Sequence, residues 1–132
     1  MELHESGEMY LETILVLKKR FGYVRSIDIS RELGYSKPSV SRAVALLREN
    51  DYICLDPNGM ILLTDKGREV AERIYDRHTN LSRFLEDIGV DSKTAQDDAC
   101  RIEHVISDET LAAIKKLMHE KEAEAAQKEN QE

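Results

Sequence analysis

The amino-acid sequence predicts a mainly α-helical protein with one small β-hairpin. Hydrophobic residues recur at intervals of three and four along most of the 132 residues, which is the spacing of one face of a helix. Aromatic residues make up only 5% of the chain, so we expect a core of Leu, Ile and Val. The stretch YICLDPNGMILLT, residues 52–64, instead alternates apolar residues around an Asn-Gly pair, which is typical of a hairpin.

The first helix is predicted from Glu8 to Phe21, and Gly22 ends it. Its apolar stripe consists of residues spaced by four, three and four, namely Tyr10, Ile14, Leu17 and Phe21. Such a stripe indicates an amphipathic helix with one face in the core.

Two shorter helices are predicted next. Ser26 caps the first, IDISRELG, which Gly34 ends. Ser36 caps the second, with Pro38 in its first turn and a buried stripe of Val40, Val44 and Leu47. Two short helices joined by the tight GYS turn form a helix-turn-helix, whose second helix usually enters the DNA major groove.

The hairpin is predicted to turn at Asn58-Gly59, because both residue types accept positive φ at small cost. Ile53 and Leu55 alternate on the first strand. On the second strand, two alternating pairs fit the inner face, either Met60 and Leu62 or Ile61 and Leu63. Three helices followed by a hairpin predict a winged helix.

Three more helices are predicted after the hairpin, from Asp65 to about Asp87, from a cap at Asp91 through Val105, and after a cap at Ser107. Gly89 separates the first two. The apolar seam of the first of these helices is Val70, Ile74, Leu81, Leu85 and Ile88, and His78 lies on the same line. The seam of the second helix is Ala95, Ala99, Ile102 and Ile106. The seam of the third helix is Leu111, Ile114 and Leu117. The tail KEAEAAQKENQE has no apolar face, so it either frays or extends as a solvated helix.

These last helices carry more apolar surface than a monomer of this size needs. We therefore expect a homodimer, whose two-fold symmetry places two reading helices on a palindromic site. The alternative is a monomer whose last helices pack back onto the winged helix.

Charge is distributed unevenly along the chain. The segment 18–48 holds eight basic and two acidic residues, a net charge of +6, whereas the whole chain carries −7 and the remainder therefore −13. A basic segment on a helix-turn-helix predicts binding to DNA phosphates, with short polar side chains and Arg reading base edges. The candidate residues are Arg25, Ser26, Ser36, Lys37, Pro38, Ser39, Ser41, Arg42 and Arg48. The alternative is a winged helix used only for protein contacts.

Location and redox state follow from the same sequence. No apolar run is long enough to cross a bilayer, and the acidic start MELHESGE lacks the features of a secretion signal. We expect a cytoplasmic protein with no membrane partner. Cys54 and Cys100 lie far apart without a C-x-x-C pair and are expected to be reduced thiols.

A second candidate site lies in ACRIEHVISDE, residues 99–109. Cys100, Glu103 and His104 are spaced i, i+3, i+4 in a predicted helix, so their side chains converge within one turn, as ligands of a single ion do. Such a run also occurs by chance, and a lone Cys is usually a small buried hydrophobe. Other potential ligands are His78, which would be costly unpaired on an apolar seam, and Met9 with Glu12 on the first helix. Taken alone, Met9 fits a core position and Glu12 a solvated one.

Five segments, EMYLETILVL, IDISRELGYSKPSVSRAVALL, ILLTDKG, RHTNLSRFLEDIGVD and DDACRIEHVISDE, resemble the family of metal-dependent repressors that contains the diphtheria toxin repressor and the manganese transport regulator. The resemblance covers about Glu8 to Met118. It implies a winged helix that binds operator DNA as part of a dimer, with a divalent ion as co-repressor.

The resemblance also implies a ligand set. Met9, Cys100, Glu103 and His104 match the ligands of the iron-responsive branch, whereas Glu12 and His78 match positions that the manganese branch uses for paired ions. His78 also matches an ancillary ligand of the iron branch, where Ser82 and Gln96 replace an acidic residue and a histidine. The ancillary site is therefore expected to be absent or rebuilt.

The sulfur ligands favour Fe(II) over Mn(II), because Mn(II) is a hard ion at the weak end of the affinity series. We expect Fe(II) first and Mn(II) second, with Zn, Co or Ni able to substitute in vitro.

The predicted domains are 1–72, a winged-helix DNA-binding domain, and 73–132, a helical dimerisation and metal-binding domain with a polar tail from about 120. The alternative function is a metal-independent winged-helix regulator that senses a small molecule. An enzyme is not expected, since no general base stands outside the ligand set.

Overall fold

The computed structural model describes residues 3–131, which form six helices and one two-stranded sheet. The elements are α1 (Glu5–Phe21), α2 (Ser26–Leu33), α3 (Lys37–Glu49), β1 (Ile53–Leu55), β2 (Ile61–Leu63), α4 (Asp65–Asp87), α5 (Ser92–Ile102) and α6 (Asp108–Gln131). The chain divides into two compact units, Met1–Tyr75 and Asp76–Glu132, with the division inside α4. The predicted class, mainly helical with one hairpin, is confirmed.

The first unit is a winged helix whose core comes from all three early helices. Leu11 and Ile14 of α1, Ile29 of α2 and Val40 of α3 are buried almost completely. The predicted stripe of α3, including Val44 and Leu47, is buried throughout. Helical spacing therefore placed Ile14 and the α3 stripe correctly, whereas Leu11 is buried although it lies outside the predicted stripe.

Phe21 is the exception in the first stripe, because its side chain is 53% exposed. It is the last residue of α1, and Gly22 turns the chain away in a left-handed conformation with φ of 82°. The Arg20 guanidinium lies 5.7 Å from the ring centroid. At the end of a helix, periodicity no longer guarantees a packing partner.

The cap of α2 also differs from the prediction. Ser26 is the first helical residue, and Arg25 is the N-cap. The Asp28 carboxylate accepts the Arg25 backbone N–H at 2.9 Å and the Arg25 Nε at 3.2 Å. A carboxylate three residues after the cap satisfies the free backbone donor, so a Ser cap is not required. The predicted cap of α3 is confirmed, since Ser36 Oγ accepts the Ser39 N–H.

The wing pairs β1 and β2 antiparallel, with Ile53 opposite Leu63 and Leu55 opposite Ile61. Ile53 and Ile61 are both 2% exposed, so the second strand uses the Ile61 and Leu63 alternative. The Ile61 N–H also donates to the Val24 carbonyl at 2.7 Å, which joins the wing to the loop after α1.

The turn of the wing spans residues 56–60 and thus extends beyond the predicted Asn58-Gly59 pair. The Asp56 carboxylate accepts the N–H groups of Asn58 and Met60 at 2.8 and 2.9 Å. Gly59 has a φ of 80°, whereas Asn58 does not have positive φ. An Asp side chain that closes the loop replaces the expected Asn-Gly turn.

The second unit is built from the end of α4, α5 and α6 around Leu81, Ala99 and Leu111. The prediction that Ile88 and Leu117 lie on buried seams is wrong, since their side chains are 57% and 42% exposed. Ile88 follows the end of α4, and Met118, at 6% exposure, takes the inner position of α6.

The predicted Asp91 cap of α5 is confirmed, since its carboxylate accepts the Thr94 N–H at 3.1 Å. The predicted cap at Ser107 is confirmed too, because its Oγ accepts the Thr110 N–H at 3.1 Å. Residues 121–130 of the polar tail are an exposed continuation of α6, which is the solvated-helix alternative. Within residues 3–131, no helix has the length and apolar composition needed to cross a membrane.

Gly67 of α4 provides a test of packing in the first unit. A Cβ at Gly67 would overlap the Tyr52 carbonyl oxygen, which is backbone and cannot rotate away. We expect Gly67→Ala to lower the free energy of unfolding by about 1–3 kcal/mol, measured by urea titration. Gly7→Ala is the control, because its Cβ meets only the flexible end of the Leu3 side chain. Equal stability of the two variants would contradict this packing.

Candidate metal centre and nucleic-acid surface

Three potential metal ligands converge in the second unit. His78 comes from α4, Cys100 from the last turn of α5 and Glu103 from the position that follows α5. His78 Nδ1 lies 2.8 Å from Glu103 Oε2 and 3.7 Å from Cys100 Sγ. One ligand atom from each residue lies within 4.8 Å of the others. Because metal–ligand distances are about 2.0–2.3 Å, small side-chain rotations bring three such atoms around one ion.

Burial of Glu103 makes this cluster unusual. Its side chain is 1% exposed, and its Oε1 accepts no hydrogen bond from any residue that the structure describes. His104 Nε2 lies 3.4 Å from that same oxygen. A buried carboxylate needs a compensating positive charge, so the donor set and its environment fit a divalent cation.

The potential ligands differ in exposure. Cys100 is exposed, whereas the His104 side chain is 3% exposed. Thiolate, imidazole and carboxylate together form a donor set suited to a transition metal rather than to Ca²⁺ or Mg²⁺, which prefer oxygen ligands. Cys100 is the most exposed of the three clustered residues.

The local backbone differs from the predicted continuous helix. α5 ends at Ile102, so Glu103 and His104 lie in the following turn and not inside a helix. Glu103 keeps helical angles, φ −58° and ψ −25°, and its N–H donates to the Ala99 carbonyl. The i, i+3 relation between Cys100 and Glu103 therefore survives the end of the helix.

The electrostatics of the cluster act on His78. The Cys100 sulfur and the Glu103 carboxylate both favour the imidazolium, and together they raise the pKa of His78 from 6.5 to about 10, against the opposing effect of burial. His78 is therefore protonated at neutral pH when no metal is bound. A metal ion that uses Nδ1 must displace this proton.

The other predicted ligands lie elsewhere in the chain. Met9 and Glu12 are half-buried residues of α1 in the first unit, spaced i, i+3. Their role as ligands stays a prediction. At the two ancillary positions, Ser82 is buried without a hydrogen-bond partner for its Oγ among the described residues, and Gln96 is exposed.

Sequence reasoning did not identify Arg77, whose side chain is 7% exposed beside the cluster. Arg77 donates to the backbone carbonyls of Glu103 and Ile106 and pairs with Asp108. The available signal was a charged residue three positions after Ile74 on the apolar face of α4.

The predicted DNA-binding residues lie on the surface of the first unit. Lys37, Pro38, Ser41, Arg42 and Arg48 are exposed on α3, and Ser39 is partly exposed. The Ser36 hydroxyl donates to Ser39 Oγ at 2.9 Å, and the Arg42 guanidinium donates to the same oxygen at 3.4 Å. These contacts hold a polar, cationic surface on the first turns of α3.

The two predicted residues at the start of α2 differ in environment. Arg25 is 46% exposed on its side chain and pairs with Asp28, whereas Ser26 is partly buried at the start of α2. The ion pair leaves Arg25 with less free positive charge than Arg42 or Arg48 offers. We therefore expect α3 to dominate an interaction with phosphates.

A winged helix followed by a helical unit with a His, Cys and Glu cluster defines a class of DNA-binding regulators that respond to metal ions. Comparison with known proteins agrees with this class. Residues 2–60 match the family model "Iron dependent repressor, N-terminal DNA binding domain", and residues 64–129 match "Iron dependent repressor, metal binding and dimerisation domain". The chain belongs to this family of metal-dependent transcriptional repressors, which confirms the resemblance seen in the sequence.

Individual relatives agree with the assignment. The chain is 35% identical over 118 residues to an uncharacterised HTH-type transcriptional regulator of Methanocaldococcus jannaschii, covering 88% of this chain and 94% of that protein. It is 33% identical over 123 residues to the HTH-type transcriptional regulator MntR of Bacillus subtilis, covering 93% and 87%.

Solved structures show the same fold. The manganese regulator SloR matches with a TM-score of 0.76 and 27% identity, and IdeR of T. acidophilum with 0.76 and 26%. Each match covers 90% of this chain and 55% of the other. The chain thus spans about half the length of these solved structures.

The raised pKa of His78 predicts how stability depends on pH. Because the pKa in the folded protein, about 10, exceeds the ordinary value of 6.5, the contribution of His78 is complete below pH 6.5 and is lost as pH rises towards 10. In chelator, we expect the free energy of unfolding of His78→Gln to fall less than that of the wild type across this window, measured by urea titration. His119→Gln, at an exposed histidine of α6, should follow the wild type. Identical pH profiles for His78→Gln and the wild type would contradict the assigned environment.

Proposed function

We propose that this protein is a dimeric DNA-binding repressor in which a divalent metal ion acts as co-repressor. The observation that carries the proposal is the convergence of His78, Cys100 and the buried Glu103 carboxylate in one chain with a winged helix. The family models for a DNA-binding domain and a metal-binding and dimerisation domain support it. A repressor of this kind acts in the cytoplasm.

The proposed ligands are His78, Cys100, Glu103 and His104, with Met9 and Glu12 added from α1. The first three have the required proximity, and His104 Nε2 lies 3.4 Å from Glu103 Oε1. For Met9 and Glu12 the support is the resemblance and their spacing on one helix. A bound divalent ion would supply the positive charge that offsets Glu103 and the Cys100 thiolate.

Three of the proposed ligands would have defined tasks before the ion binds. His78 holds a proton that balances the Glu103 charge, and it releases that proton when Nδ1 becomes a ligand. Cys100 faces solvent and provides the entry side. Glu103 supplies a carboxylate that is already dehydrated, so little further desolvation is needed.

We propose Fe(II) as the physiological ion and Mn(II) as the second choice. Cys100 and Met9 are sulfur donors, and sulfur adds little to Mn(II) affinity. The relatives include proteins named as manganese regulators, so both ions belong in the test. Zn, Co or Ni should bind in vitro.

The proposed division of labour is DNA recognition by residues 1–72 and metal binding with dimerisation by residues 73–132. Two winged helices related by two-fold symmetry suit a palindromic operator. Met9 and Glu12 belong to the DNA-binding part and the other proposed ligands to the metal-binding part, so variants at these two residues test whether metal binding and DNA binding are coupled.

The first test is binding to operator DNA selected from a random duplex library by the metal-loaded protein. Under anaerobic conditions we expect Fe(II) to raise affinity about 5- to 150-fold over excess chelator, with Mn(II) requiring a higher free concentration and Co(II) and Zn(II) included for comparison. Fluorescence anisotropy measures the affinity. Equal affinity in chelator and metal would favour a metal-independent regulator.

Variants sharpen this test. Cys100→Ala should weaken activation and narrow the difference between Fe(II) and Mn(II), whereas Cys54→Ala, at the other exposed cysteine, should leave both unchanged. Met9→Leu and Glu12→Gln, measured alongside, report the contribution of α1. If the two cysteine variants respond alike, Cys100 is not a ligand.

A separate prediction concerns DNA recognition. Arg42→Ala should reduce discrimination at one base pair by about 1–3 kcal/mol, because Arg on a reading helix contacts base edges. Lys18→Ala should weaken binding uniformly across sequences and reduce the slope of log affinity against log salt by about 1. Competition binding with single base-pair variants, repeated at several salt concentrations, distinguishes the two. Uniform weakening by Arg42→Ala would assign that residue to phosphate contact only.

A further inference from the structure

A buried arginine stands beside the metal-ligand cluster without being part of it. Arg77 precedes His78 on α4, and its side chain is 7% exposed. Arginine is rarely buried unless its donors are used. The contacts of this guanidinium therefore indicate what it does.

Arg77 contacts both sides of the turn that carries Glu103 and His104. Its Nη1 donates to the Glu103 carbonyl at 3.2 Å and to the Ile106 carbonyl at 2.7 Å, and its Nη2 pairs with the Asp108 carboxylate. A single guanidinium therefore contacts the first residue of the turn, Glu103, the residue Ile106 beyond it, and Asp108 at the start of α6.

The position of these acceptors explains why a cation is buried here. α5 ends at Ile102, and carbonyl groups beyond a helix end have no helical N–H donors. The C-terminal end of a helix also carries partial negative charge, which favours a cation. Arg77 satisfies both needs.

We propose that Arg77 is a positioning residue that sets the geometry of the metal ligands Glu103 and His104 and links them to α6 through Asp108. The inference rests on the proposed function, since it concerns the same site. Arg77 and His78 are adjacent on α4, so a hydrogen bond from Arg77 to the Glu103 backbone fixes the separation of two ligand-bearing segments. Partners of this kind beyond the ligands orient them and tune metal affinity.

An arginine is required because one side chain must reach three acceptors. The guanidinium presents several N–H donors in a rigid plane, whereas a lysine ammonium is a single point on a flexible chain. Arg77→Lys keeps the charge but loses the planar set of N–H donors. Arg77→Met keeps much of the length and removes the charge.

The experiment is an anaerobic Co(II) titration of the full-length protein, read by the thiolate-to-cobalt absorption that Cys100 would produce. We expect Arg77→Met to weaken Co(II) binding about 10- to 100-fold and Arg77→Lys to recover part of that loss. The shape of the ligand-field bands should change in both variants, since the positions of Glu103 and His104 are altered. Far-UV circular dichroism without metal checks that the variants fold.

Arg83→Met is the matched control. Arg83 lies on the same helix and also pairs with α6, through Glu122 at 2.6 Å, but it is exposed and does not contact the turn. The Arg83→Met protein should bind Co(II) with the same affinity as the wild type. A second probe is Asp108→Asn, at a side chain that is 89% exposed. It should weaken Co(II) binding at least threefold if the link to α6 operates.

The outcomes separate the two proposals. If Co(II) titration of the wild-type protein produces no thiolate-to-cobalt band, the proposed metal site is wrong, and the role of Arg77 is wrong with it. Wild-type binding together with unchanged affinity and bands in folded Arg77→Lys overturns the positioning role alone. If both Arg77 variants fail to fold, Asp108→Asn decides, and unchanged affinity there overturns the inference.

Discussion

The second unit depends on one buried carboxylate, that of Glu103. Removing a carboxylate from water is unfavourable unless cationic or hydrogen-bonding partners replace the lost hydration. His78 Nδ1, 2.8 Å from Oε2, is such a partner, and the charge of Glu103 helps to hold a proton on that ring. The site thus selects a positively charged occupant, which is a proton on His78 in the absence of metal and would be a divalent ion in its presence. Competition between proton and metal follows from the Cys100 sulfur and the Glu103 carboxylate beside the imidazole, which together outweigh the opposing effect of burial on the pKa of His78.

The end of α5 places this carboxylate where its backbone can be controlled. A ligand in the middle of a helix is held by the regular hydrogen bonds on both sides, whereas Glu103 follows the last helical residue, Ile102. Its N–H still bonds to the Ala99 carbonyl, but its own carbonyl depends on Arg77. If Glu103 binds the ion as proposed, this contact from another helix would connect metal geometry to helix packing. This connection is the kind of coupling that a metal-responsive regulator needs.

Much of the fold could be predicted because it is determined by interactions within four residues. The Ser36 and Asp91 caps each join a side chain to a backbone N–H three positions later, so short motifs were sufficient. Predictions failed where a residue needed a distant partner. Phe21 had the right spacing but no covering element, and Met118 replaced Leu117 because only packing within the second unit decides which residue of the last helix faces inward.

The candidate site divides in the same way. The sequence alone determined that Cys100 and Glu103 share one side of a helical turn, since that relation depends only on their spacing. Only the tertiary structure decided that His78 meets them, because α4 and α5 are joined through the core around Leu81 and are separated by a turn in sequence. It also revealed Arg77, whose acceptors are backbone carbonyls 26 and 29 residues away and leave no mark in the local pattern. Spacing along a helix is a local property, whereas the partner of a buried charge is decided when helices pack.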